Sequence, residues 1–283
     1  MYNVQWYIMI LIIERTTAYR AHMGSYLPSF GAYTHRPRVV HGREDRDNLY
    51  PYVVSLESEN TLIPNILVHR LCSGSLIAKQ WVLTAAHCLH SIMTIVRYGD
   101  VTTPRNKTSQ ISKVLKRIIH PSYLVRNSRT YSVIIRNDIG LVFVEPILVE
   151  RLGIIHMGDY KTFVGRACVF AGFGFTHADP RKVKAQDMLE DLKKPLQVGE
   201  GSVRGKSEEF MIVSPSLAVV PKCGKNQPWP NSGDSGGPLI IDRKVVGVCS
   251  AGTSANERRF NYNFYTPLSP YTDWIRETMA KNT

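Results

Sequence analysis

Apolar residues in this chain come in short runs rather than at helical spacing: PYVVSL (51–56), SLIAKQWVLTAA (75–86), IGLVFV (139–144), ACVFAGFGF (167–175), MIVSPSLAVV (211–220) and PLIIDRKVVGVCS (238–250). Segments rich in Gly, Pro, Asn and Asp separate them. Many short, β-branched strands with such punctuation predict an all-β sandwich or barrel rather than a βαβ protein. One helix is predicted at the C-terminus, over about 269–281. Ser269 suits an N-cap and Pro270 the first helical position, while Tyr271, Trp274, Ile275 and Met279 fall on one face.

Before Val39 the pattern differs. Residues 6–13, WYIMILII, form an apolar run too short to span a bilayer. The run fits the apolar core of a secretory signal, with Ala18 and Ala21 as small residues for cleavage. No Lys or Arg precedes it, and a buried strand is the other reading. Residues 14–38 are polar and turn-rich and end in THRPR, as an extended leader would.

Composition narrows the class. The 283 residues, 43% hydrophobic and 20% charged, suit a soluble globular protein with one large domain or two packed ones. The net charge of +12 raises nucleic acid or an anionic surface as a partner. The basic residues are scattered, however, and form no basic helix or RNA-binding aromatic sheet, so neither nucleic acid nor membrane is expected. Five cysteines leave at least one unpaired within the chain, and none has CxxC or zinc-finger spacing, so no structural metal is expected.

The chemistry concentrates in three segments. In Gly233-Asp234-Ser235-Gly236-Gly237-Pro238 a serine stands between glycines that let the backbone turn and aim N–H groups at one spot, where an oxyanion can be held. A hydroxyl needs a base, and His87 follows the apolar strand Trp81-Val82-Leu83-Thr84 and the small residues Ala85 and Ala86. The base needs a buried carboxylate, and Asp138 stands at the mouth of the apolar strand Ile139–Val142.

With LTAAHC, NDIGLV and GDSGGP in this order, the chain from Val39 to the C-terminal helix resembles the chymotrypsin/trypsin family of serine peptidases. The resemblance implies two packed six-stranded antiparallel β-barrels, about 39–155 and 156–265, then the C-terminal helix. It makes His87, Asp138 and Ser235 the catalytic triad, and the N–H groups of Gly233 and Ser235 the oxyanion hole. Ser250 matches a serine that bonds the triad aspartate and opens the substrate strand Ser250-Ala251-Gly252. No cofactor is implied. The leader then reads as a signal peptide (1–21) and an activation propeptide (22–38). Cleavage after Arg38 frees the Val39 amine to pair with Asp234. The expected protein is a secreted, monomeric zymogen with protein or peptide substrates, an activating protease and protein inhibitors as partners; the alternative is a non-catalytic homologue that binds.

Departures from the family are informative. Cys72 and Cys88 match its commonest disulfide, which closes a loop of about 15 residues and is worth roughly 3 kcal/mol. Cys168 has Ile241 at its usual partner position, and sequence leaves the pairing of Cys168, Cys223 and Cys249 open. Trp229 stands where trypsin-like members carry a pocket aspartate, and Asn263 narrows a position that is often glycine. An uncharged P1 residue, small or apolar, is therefore expected rather than Lys or Arg. The loop 123–138 is longer than in compact members and carries Arg126, Arg129 and Arg136. Asn106 heads the one glycosylation sequon, and the segment 100–111 offers too few carboxylates for calcium.

Overall fold

The computed structural model describes residues 38–59, 70–127, 133–174, 193–205, 211–222, 227–252 and 262–282. The leader through residue 37, Arg129 and Cys223 lie outside them. Strands are numbered along the chain.

The first barrel closes from β2 (Val53–Glu57), β3 (Arg70–Ala78), β4 (Trp81–Thr84), β5 (Ile95–Arg97), β6 (Ile111–Ile119) and β9 (Gly140–Val144), in the order β2-β3-β4-β9-β6-β5. Every neighbouring pair is antiparallel. Val82 pairs with Leu76 on one side and Val142 on the other, and all three are fully buried. Side chains opposite one another across a ladder share a face, so this row fills the barrel. The core continues into the second barrel through Ala171, Phe173, Ile240 and Val248. Trp81–Thr84 is consequently buried on both faces, where strict alternation would expose one.

The second barrel takes β10 (Ala167–Gly172), β11 (Gln197–Arg204), β13 (Leu217–Pro221), β14 (Pro238–Ile241), β15 (Lys244–Gly252) and β16 (Asn263–Pro267). The β11–β13 pairing closes it. The apolar run 238–250 folds back at Asp242–Arg243, whose φ values of 49° and 60° make the two-residue turn that a right-twisted hairpin requires. Phe170, Leu239, Val246 and Tyr265 lead its core. The expected two-barrel, all-β fold with a C-terminal helix is thus the observed one.

Three details differ from the sequence reading. Arg43–Glu44 (β1) lies early in the chain, yet it pairs with β11 of the second barrel. The run 211–220 supplies two strands to different sheets. β12 (Met211–Ser214) runs parallel to β8 (Val133–Arg136), which is antiparallel to β7 (Leu124–Asn127). The long loop is therefore a hairpin that joins the two barrels at one rim, with Ile135 packed against the buried cluster of Val213, Ala218 and Phe264. Finally, Ser269 does not cap the C-terminal helix. Its hydroxyl accepts from the Tyr160 amide at 3.1 Å, and a 3-10 turn over Ser269–Tyr271 leads into α1 (Thr272–Lys281). The apolar face is as expected: Tyr271 and Ile275 are buried, and Trp274 and Met279 pack on the first core.

Candidate active site

His87 sits on a 3-10 turn, Ala86–Cys88, immediately after β4. Two constraints place it. Ala85 and Ala86 are small enough to be buried at the junction, and Cys88 is bonded to Cys72 of β3 across a Cα–Cα distance of 6.0 Å. The predicted disulfide is thus present. Cys72, His87 and Cys88 form a tight cluster of metal-ligand types among the described residues, but with both thiols joined no thiolate remains to bind an ion.

Asp138 is 1% exposed and reaches His87 twice. Its Oδ1 accepts from the His87 amide at 3.0 Å, and its Oδ2 lies 2.7 Å from Nδ1. The Ser250 hydroxyl donates to the same Oδ2 at 2.6 Å. Ser250 reaches inward because β15 carries a bulge there: Cys249 pairs with Tyr265, yet Ala251 pairs with Phe264. Burial works against both charged forms. For His87 the opposing pull of Asp138, by charge and by hydrogen bond, prevails and holds the imidazole above its ordinary value. Burial pushes the Asp138 carboxyl up, but the His87 charge and the three hydrogen bonds hold it below the usual carboxylate range.

Sequence reasoning passed over Asn137, which aims Asp138. Its backbone is left-handed, with φ 52°. The side chain accepts from Tyr271 Oη at 2.8 Å and donates to Ser122 O at 2.8 Å, while its amide donates to Ser214 O at 3.1 Å. The turn before β9 is thereby tied to the 3-10 turn that leads into α1 and to β12. Asparagine at a turn that needs positive φ was the available signal.

Ser235 is half-buried on the loop before β14. Gly236, with φ +80°, lets that loop touch the first barrel: a Cβ there would lie 2.0 Å from Thr84 Oγ1. Among the described residues the His87 ring bonds Asp138 and not the Ser235 hydroxyl, a looseness common in uncomplexed sites. A second unforeseen residue, Ser73 of β3, fastens the loop from below: its amide donates to Ser235 O and its hydroxyl to Gly233 O, each at 2.8 Å. Asp234 is 2% exposed and accepts from the Gly174 and Asn231 amides at 2.8 Å. A Cβ on Gly174 would stand 2.6 Å from that carboxylate.

The remaining predicted residues fall around these. Val39 is fully buried in the second core, and its flanking turn Arg38–His41 packs beside β11. Trp229 is half-buried, edge-on to His41 at 5.7 Å. Ala251 is half-buried and Gly252 exposed, so the strand from Ser250 climbs toward solvent. Asn263, opposite Gly252, is buried. Cys168 and Cys249 are free and buried; burial pushes the Cys168 thiol up to about 12, and Cys249 higher still. Asn106 is exposed, as a glycan acceptor must be. In the same loop both oxygens of Asp100 are engaged by Thr102 and Thr103.

Residues 39–275 match the family model described as Trypsin. The chain is 29% identical over 254 residues to anionic trypsin of Canis lupus familiaris, covering 87% of this chain and 91% of that protein. It is 28% identical to Kallikrein-8 of Mus musculus, with 86% of each covered, and 28% identical to trypsin of Xenopus laevis, with 89% and 94% covered. The solved structure of neuropsin, a serine protease expressed in the limbic system of mouse brain, superposes with a TM-score of 0.64 at 24% identity. That match covers 84% of this chain and 98% of the other, and it bears on the fold.

Proposed function

The chain belongs to the trypsin family of serine peptidases, and on that premise we propose that it is a secreted endopeptidase, made as a zymogen, that cleaves peptide bonds through an acyl-enzyme on Ser235. The observation that carries this reading is the buried array in which Asp138 holds His87 Nδ1 at 2.7 Å and is itself held by Ser250. Such an array leaves Nε2 as the basic nitrogen. His87 then takes the Ser235 proton as the hydroxyl attacks and later returns it to the leaving amine. Asp138 stabilises the imidazolium formed between these steps. The Gly233 and Ser235 amides, which have no intramolecular acceptor among the described residues, receive the oxyanion.

Activation follows cleavage after Arg38. The new Val39 amine adds a positive charge next to a buried carboxylate, Asp234, whose neighbours are the two oxyanion residues. An uncut chain lacks that charge and is therefore inactive. Residues 1–21 act as the signal peptide and 22–38 as the propeptide. The exposed Asn106 sequon and the Cys72–Cys88 disulfide suit an oxidising, extracellular route. Trp229 offers no charge to a lysine or arginine, so P1 is uncharged. The enzyme is a monomer needing no cofactor; its partners are protein substrates, an activating protease and inhibitors, not nucleic acid or membrane.

The test compares three proteins: the chain cut after Arg38, the uncut chain, and cut Ser235→Ala. Each is incubated with a peptide library varied at P1. Cleavage by the cut wild type alone supports the enzyme and reads its pocket. A cut, folded wild type that cleaves nothing and ignores serine-directed phosphonates makes the chain a non-catalytic, binding homologue.

A further inference from the structure

Resting on that peptidase reading, we infer that His41 is a positioning residue: its imidazole latches the segment freed by cleavage after Arg38 to the loop that carries Ser235, and thereby holds the Val39 amine in place.

Three observations lead there. The first is a bond. His41 Nδ1 lies 2.9 Å from Gln227 O, a contact across 186 residues of sequence. A carbonyl only accepts, so Nδ1 carries the proton and donates. The second is packing: the same ring stands edge-on to Trp229, with centroids 5.7 Å apart and planes inclined by 67°. Gln227 and Trp229 open the stretch that ends in Asp234 and Ser235. That stretch is stiffened by a reciprocal pair: the Asp234 amide donates to Asn231 O at 2.9 Å, and the Asn231 amide donates to the Asp234 carboxylate at 2.8 Å. The third is strain. Val39 has φ 29° and His41 φ 66°, a left-handed region that a β-branched residue rarely enters. Such a backbone persists only where its surroundings over-determine it.

The neighbours on the other flank of this segment belong to β11. Val39 is buried where a Cβ on Gly199 would stand 2.8 Å from its Cγ1, and Arg43–Glu44 pairs with the same strand. His41 reaches the opposite way, to the loop. Cleavage changes what has to be held. The φ of Val39 is defined by the Arg38 carbonyl carbon, so the cut abolishes that constraint and its strain. It also leaves Val39 at a free chain end, able to withdraw into water with its new charge. The His41 bond and ring contact lie beyond the cut and oppose that withdrawal. One side chain thus couples the seating of residue 39 to the loop whose Gly233 and Ser235 amides are to receive the oxyanion.

The experiment uses the chain cut after Arg38, as wild type, His41→Gly and His41→Asn. Both replacements accept the φ of 66° that position 41 adopts, and only asparagine keeps an N–H donor near the place of Nδ1. Each protein is treated with cyanate, which carbamylates a free α-amine, and modification of Val39 is followed by mass spectrometry of the N-terminal peptide. Closure of the buried Cys168 and Cys249 thiols to iodoacetamide keeps the comparison to folded protein. Losing one such hydrogen bond should expose the amine about tenfold more often, so His41→Gly reacts about tenfold faster than wild type, with His41→Asn within about threefold of wild type. Equal rates in wild type and His41→Gly overturn the inference, and so does a His41→Asn protein as reactive as His41→Gly. Labelling of Ser235 by a fluorophosphonate separates the levels. A labelled enzyme whose Val39 is as well protected in His41→Gly as in wild type sinks this inference alone, whereas an unlabelled cut wild type sinks the peptidase reading with it.

Discussion

Ser73 grips the nucleophile loop on both sides of Asp234: its amide donates to Ser235 O and its hydroxyl to Gly233 O, each at 2.8 Å. The same hydroxyl accepts from the Phe173 amide at 2.9 Å, and Ser73 is fully buried. One first-barrel residue thus sets the height of the loop that carries both proposed oxyanion amides. In Ser73→Ala two buried groups, Gly233 O and Phe173 N–H, lose their partner, which costs about 1–3 kcal/mol. The expected outcome is a tenfold or greater drop in kcat of the cut protein with KM little changed, read by steady-state kinetics.

The His87–Asp138 pair predicts a pH profile. In the proposed mechanism His87 must be neutral to act as base, and its pKa is held above the ordinary 6.5 by Asp138 against the effect of burial. Activity should therefore rise with pH through a value above 6.5. Asp138→Asn removes the charge, so that limb moves to lower pH while kcat falls on the order of 10⁴-fold. An unmoved limb would show that another group titrates.

Both members of the pair stabilise the fold, with opposite pH dependences. The Asp138 pKa is depressed, so its contribution is intact above the ordinary carboxylate range and disappears as pH falls through the depressed value. The His87 pKa is raised, so its contribution is complete below about 6.5 and is lost as pH climbs past the raised value. Thermal melts of Asp138→Asn against wild type from pH 3 to 9 should converge at both ends and differ most between them.

Glu57, 1% exposed, faces two guanidinium groups: Arg105 Nη2 at 2.6 Å and Arg70 Nε at 3.6 Å. Arg70 is itself 3% exposed. Removing one member of a buried ion pair costs about 3–5 kcal/mol. Glu57→Ala should lower Tm by roughly 10 °C, measured by calorimetry, and should loosen the 100–107 segment that Arg105 anchors.

Cys168 and Cys249 have buried thiols held far from ionisation. Neither should react with iodoacetamide in the native protein, and both should react in guanidinium, as peptide mass mapping would show.

Local chemistry made much of this protein legible in its residues. The apolar runs predicted strands because strand pattern is a neighbour property, and GDSGGP and LTAAHC resemble a family because a nucleophile loop and its base need those residue types side by side. Cys72 and Cys88 paired as the resemblance implied. The split of 211–220 into β12 and β13 falls at Pro215-Ser216, a break within the run, but its two halves bury against different partners, which no local pattern reveals. Ser269 looked like a cap on local grounds, but the Tyr160 amide took its hydroxyl.

What the sequence determined by itself is the kind of fold and the candidate reacting groups, because both depend on residue type and near-neighbour order. Tertiary structure alone decided how those groups are held. Ser73 and Asn137 act on residues far along the chain, at |i−j| of 160 and 134 in the bonds they make. No local pattern encodes a hydrogen bond across such separations. They exist only once two barrels have closed and brought polar groups out of water together, where each must find a partner.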